Sequence, residues 1–146
     1  MGESQSRIWG EIYFDDPMQL WGAVFNSAPT YVFIGIVGFF ARGKFWGQCV
    51  MVAAIAALIH IAGDLPVHAD DAHRHFWPLS DWRFFSPVSY WDRAYHARWV
   101  SLFEAGVGCV CILILRRRFP ARWVKIVLSL LAVLYVVMAG GALFFG

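Results

Sequence analysis

The chain has 146 residues, of which 60% are hydrophobic and only 15% charged, and its mean hydropathy is +0.56. That is too apolar for an ordinary soluble domain of this size, and four spans of about 20 residues each leave no room for a separate soluble module. A net charge of +2, with no basic groove interleaved with exposed aromatics, excludes nucleic acid as an expected partner and leaves the lipid bilayer.

The opening segment through Met18 has no basic stretch followed by an apolar one, so it is not expected to be a cleavable signal and should stay on the mature protein. The first uncharged run extends from Trp21 to Ala41, but Asn26, Ser27 and Pro29 make its early part a poor spanning helix. Phe45 to Gly63 forms a second run, interrupted only by Gln48 and His60, and a third from Trp99 to Leu115 carries Glu104. The fourth goes from Trp123 to Gly146.

The expected fold is therefore all-α and polytopic: one integral domain over residues 1–146, with four transmembrane helices and a long polar and aromatic loop between helices two and three. Seven of the eight tryptophans (Trp21, Trp46, Trp77, Trp82, Trp91, Trp99 and Trp123) lie near or between the ends of the runs, where an indole favours the headgroup level. Cys49, Cys109 and Cys111 fall inside apolar runs and read as small core residues.

Basic residues set the expected topology. Arg116, Arg117, Arg118, Arg122 and Lys125 crowd the connection between runs three and four, and Arg42 and Lys44 sit between runs one and two. Both connections should stay in the cytoplasm. The termini and the 64–98 loop are then expected on the outer face, the periplasm if the membrane is a bacterial inner membrane, and the acidic tail with Glu3, Glu11, Asp15 and Asp16 is compatible with that placement.

All five histidines and five of the ten carboxylates fall between residues 60 and 96. A solvated loop needs charge but not histidine, and a membrane helix tolerates His or Asp only beside a partner or a water-filled cavity. His60 and Asp64, at i and i+4, project from one helix face; beyond Pro66 come His68, Asp70, Asp71, His73 and His75, with Asp71 and His75 again at i and i+4. His60, Asp64, His68, Asp71 and His75 are the expected ligands of a divalent metal, and their mixed N and O donors suit Zn²⁺, Mn²⁺ or Fe²⁺, zinc first. His73 and Asp81 are as well read as solvent-facing. Glu104, five residues into the third run, is the expected proton acceptor, and Arg83, within the aromatic stretch that follows, the expected holder of an anionic group.

The pattern His60-x-x-x-Asp64 at a helix end, followed by Phe76-Trp77-Pro78-Leu79-Ser80 and Trp82-Arg83-Phe84, resembles the membrane-bound metal-dependent hydrolases of YdjM type. A closer likeness is to small proteobacterial membrane proteins whose His/Asp-rich core runs into His73-Arg74-His75-Phe76-Trp77-Pro78. The first resemblance implies a metal site and phosphoester hydrolysis, with His60 and Asp64 at matched ligand positions; the expected activity is a metal-dependent hydrolase of the membrane surface acting on a phosphoester or lipid-like ester. Thr30-Tyr31 stands where that family has an early Thr-His pair, and its H-R-G-x-T-H stretch is absent. Two rivals stay open: an accessory or assembly subunit with a structural metal, bound to another membrane protein or to its own copies, and a haem or quinone redox protein with His60 and His96 as axial ligands.

Overall fold

The computed structural model describes residues 16–144, in which every regular element is helical. The opening segment's first 15 residues, with Glu3, Glu11 and Asp15, lie outside the described residues, as do the last two positions of the fourth run. The described chain has five α-helices: α1 Asp16–Phe25, α2 Ala28–Phe40, α3 Phe45–Asp64, α4 Ala97–Arg118 and α5 Arg122–Phe144. Two compact units divide it after Ser86.

In the N-terminal unit, the weak start expected of the first run is a helix break. Asn26 ends α1 by donating both its N–H and its Nδ2 to the Gly22 carbonyl, each at 3.0 Å. Ser27 then takes an extended conformation and caps α2, its hydroxyl accepting from Thr30 N at 3.1 Å. Pro29 sits in the first turn, where a missing N–H costs no hydrogen bond. The two helices meet at 42° and together have the length and apolarity of one bent span.

A short turn joins α2 to α3. Gly47 makes this possible, because a Cβ there would drive into the Ala41 carbonyl group. Pro66 closes α3, as expected, within a 3₁₀ turn from Leu65 to Val67.

The C-terminal unit pairs α4 with α5, where Gly108 lets the Tyr135 ring approach so closely that a Cβ would lie 2.5 Å from it. Helix α4 is longer at both ends than the run from Trp99 to Leu115, since Ala97 and the Arg116–Arg118 turn also hydrogen-bond helically. Three single helices, α3 with its 3₁₀ turn, α4 and α5, are long and apolar enough to cross a membrane, or four spans with the bent pair.

In the most apolar stretch of each single span 11% or less is buried within the protein. Large side chains such as Phe33, Ile55, Leu113 and Leu130 face outward, which lipid accepts and water would not. The cysteines correct the sequence reading for the same reason: Cys49 and Cys111 are exposed on their helices and only Cys109 is half-buried. Trp46, Trp99 and Trp123, each at the start of a span, are exposed as an interfacial belt requires.

Candidate metal centre

Asp64 is the last residue of α3, and the 3₁₀ turn that follows carries the chain through one more revolution before it extends at His68. That geometry brings His68 Nε2 to 2.9 Å from Asp64 Oδ1. The ring's other nitrogen, Nδ1, lies 2.9 Å from Asp71 Oδ1, although the N–H axis does not point squarely at the oxygen. His68 and Asp71 are both buried, and each is followed by a buried alanine, Ala69 and Ala72, whose small side chain leaves room for the chain to fold tightly.

Two anchors hold this loop. Downstream, Ser86 donates its N–H to the His68 carbonyl at 2.8 Å and its hydroxyl to the Pro66 carbonyl at 2.5 Å. In the middle, residues 75–77 dock onto the α1–α2 break: Ala28 N donates to the His75 carbonyl at 2.8 Å, His75 Nδ1 bonds the Asn26 carbonyl at 3.1 Å, and the fully buried Ser27 hydroxyl donates to the Trp77 carbonyl. The polar break that weakens the first run as a span is thus the seat of the loop.

Between the anchors, His73 turns back onto His68, their ring centroids 4.7 Å apart. Asp64, His68 and His73 each offer one donor atom, and the three atoms lie within 4.8 Å of one another. Two donors bound tetrahedrally to one zinc at about 2.1 Å are about 3.4 Å apart, so the widest pair has to close by roughly 1–1.5 Å, within reach of side-chain rotation. Two imidazoles and one carboxylate suit Zn²⁺, Mn²⁺ or Fe²⁺. The Asp71 carboxylate behind His68 matches the arrangement that orients a metal-bound imidazole through its far nitrogen.

The two histidines differ in charge preference. Burial alone would push His68 down, but the hydrogen bonds and charges of Asp64 and Asp71 outweigh it and hold its pKa above the ordinary imidazole value. For His73 burial dominates, and the neighbouring His68 adds to it, so its pKa falls below that value. In the absence of metal, the pair holds its proton on His68.

A cavity of about 180 Å³ opens beside His73, lined otherwise by Met18, Gln19, Trp21, Gly22 and Phe25 of α1. On that wall, a Cβ at Gly22 would stand 3.7 Å from His73 Nδ1. One donor of the triad therefore borders a mostly apolar space.

Of the expected ligands, Asp64 and His68 belong to the triad, Asp71 braces His68 from behind, and His75 is spent on the Asn26 carbonyl, its ring 5.9 Å from His73. His60 is exposed one turn before Asp64. His73, as well read in the sequence as solvent-facing, supplies the third atom of the group that could hold a metal. Its alternation with His75 in an extended stretch, rather than the helical i+4 spacing of Asp71 and His75, was the signal for it.

Arg83 is half-buried in the same unit and makes no hydrogen bond or ion pair among the described residues. Near it Phe76, Trp82 and Phe84 form a ladder with centroid spacings of 5.7 and 6.1 Å, and Trp82 and Phe85 remain exposed, as an interfacial segment requires. Asp81 pairs with Arg74 at 3.2 Å on the surface, and Asp70 is exposed. Glu104 is exposed on α4, and His96, with φ 67°, is the N-cap of that helix; both belong to the C-terminal unit.

No protein-family model, curated protein or solved structure matches the chain.

Proposed function

We propose that the protein is a metal-dependent hydrolase of the membrane surface, acting on a phosphoester or another ester whose apolar part stays in the bilayer. The observation that carries this reading is the convergence of Asp64, His68 and His73, three donors from one helix end and its loop, with His73 bordering a cavity. Among the described residues three protein donors meet there and not four, the number that favours an open catalytic position over a closed structural site.

In this reading Asp64, His68 and His73 hold the ion and Asp71 keeps the His68 ring in place. A bound divalent cation would supply Lewis acidity and a water acidified to a pKa of about 7. Arg83, a guanidinium without a carboxylate partner among the described residues, would hold the anionic group of the substrate. The apolar wall of α1 would receive the substrate's hydrophobic part. The sequence's resemblance to metal-dependent membrane hydrolases supports the same chemistry, and the distribution of Arg and Lys supports placing the site on the outer face of a bacterial inner membrane.

The test uses purified protein in detergent, elemental analysis, and a chromogenic phosphodiester beside a fluorogenic phospholipid. Expected is bound zinc, manganese or iron, with hydrolysis that a chelator abolishes and the metal restores. Metal content unchanged in the double variant D64A/H68A would overturn the site. Tight metal in the wild type with no turnover of any ester would instead favour an accessory subunit with a structural ion.

A further inference from the structure

Two arginines of the C-terminal unit have no anionic partner among the described residues. Arg93 lies in the 3₁₀ turn Arg93–Tyr95 and Arg98 in the first turn of α4, and neither forms an ion pair or side-chain hydrogen bond with a described residue. The adjacent carboxylate, Asp92, accepts from Ala94 N at 2.8 Å and is committed to capping the 3₁₀ turn. Helix α4 itself begins with no acidic residue in its first turn and no side-chain cap from His96. The positive end of a 22-residue helix thus coincides with two guanidinium charges, an arrangement that favours a bound anion.

A cavity of about 250 Å³ occupies this place. Arg93 and Arg98 supply its charged donors, Trp91 lines it with them, and Gly141 and Ala142 of α5 form its apolar side, while the Ser101 hydroxyl in its wall donates to the Tyr90 carbonyl at 3.5 Å. A Cβ at Gly140 or Gly141 would meet nothing within 4 Å, so the end of α5 leaves open space beside the cavity. Two charged donors, an indole and an open apolar helix face around one cavity match an amphiphile with an anionic head at the end of two apolar spans.

We infer that this cavity binds the phosphate of an anionic phospholipid headgroup, with the acyl chains lying along the Gly140–Gly141 face of α5. The guanidiniums clasp the phosphate oxygens, the geometry in which arginine binds phosphate best. A zwitterionic headgroup brings its own cation into a site that already has two, so phosphatidylcholine is discriminated against. The site lies wholly in the C-terminal unit and is independent of the metal centre.

Native mass spectrometry of the detergent-purified protein tests this, with added phosphatidylglycerol, phosphatidylcholine or inorganic phosphate. Compared are the wild type, R93Q/R98Q, and R117Q/R118Q, which removes the same charge at the opposite end of α4. Phosphatidylglycerol should bind the wild type and R117Q/R118Q alike, and R93Q/R98Q more weakly by about tenfold per guanidinium lost. Phosphatidylcholine and inorganic phosphate should fail to displace it. Equal phosphatidylglycerol binding by R93Q/R98Q would overturn the site, equal binding of phosphatidylcholine by the wild type would overturn its selectivity, and displacement by inorganic phosphate would make it a free-anion site instead.

Discussion

His68 Nδ1 meets Asp71 Oδ1 at 2.9 Å while the same ring's Nε2 meets Asp64 Oδ1 at 2.9 Å. A neutral imidazole has a single N–H, so only the protonated ring offers a hydrogen to both carboxylates. A divalent ion held by His68 and Asp64 would take over from that proton on one side, with Nδ1 still 2.9 Å from the Asp71 carboxylate on the other. Asp71→Asn should therefore weaken metal affinity by about 10–100-fold without abolishing binding. Competition with a chromogenic chelator measures this, and the exposed neighbour Asp70→Asn should leave affinity unchanged.

His73→Ala should empty the site, whereas His60→Ala should keep its metal. The first removes one of three converging donors, and the second a side chain exposed one turn away. Elemental analysis of the two purified variants decides between them; retention by His73→Ala with loss by His60→Ala would restore the helical i and i+4 pair as the site.

Metal-free stability should peak near the ordinary imidazole pKa, at about pH 6.5. His73, with its lowered pKa, disfavours the fold in acid, so stability rises with pH up to that value as the unfolded chain gives up its proton. His68, with its raised pKa, contributes stability that is complete below about 6.5 and is lost as pH climbs through its folded value. Saturating metal should reverse the upper limb, because binding requires both rings deprotonated and strengthens as His68 loses its proton. Thermal unfolding in detergent, with chelator and with metal, reads both curves.

Gly22→Ala should be tolerated and Gly22→Leu should block the site. A methyl group at position 22 makes ordinary contact with His73, at 3.7 Å, whereas a leucine side chain occupies the cavity. Expected is unchanged metal content in both variants and turnover of the lipid substrate lost in the leucine variant alone. Equal turnover by both would remove the cavity from the substrate path.

Ser27→Ala should destabilise the N-terminal unit by about 1–2 kcal/mol, since it removes a helix cap and leaves the Trp77 carbonyl without its donor. Loss of metal affinity should accompany the fall in melting temperature, because Ser27 fastens the loop that carries His73. A variant that melts earlier but binds metal as tightly as the wild type would show that the break positions the helices only.

Much of the helical layout was legible from residue order. Uninterrupted apolar runs have to satisfy their own backbone in lipid, so Phe45–Asp64 and the two C-terminal helices followed within a few residues of the runs that announced them. The break at Asn26–Ser27 was legible as well, because Asn and Ser compete with helical hydrogen bonds and Pro29 favours a first turn. Lipid contact overruled the reading of the cysteines: apolar side chains on a membrane helix have no need of a core.

Residue chemistry alone determined that this chain lives in a membrane, that its helices end where they do, and that its imidazoles and carboxylates gather in one stretch. Which of them meet was decided by tertiary contacts. The i and i+4 rule applies only while a helix continues, and past Pro66 the chain is held by Ser86 on one side and by Asn26, Ser27 and Ala28 on the other. Those partners, distant in sequence, turn His73 inward and His75 away to the Asn26 carbonyl, and no local spacing encodes that choice.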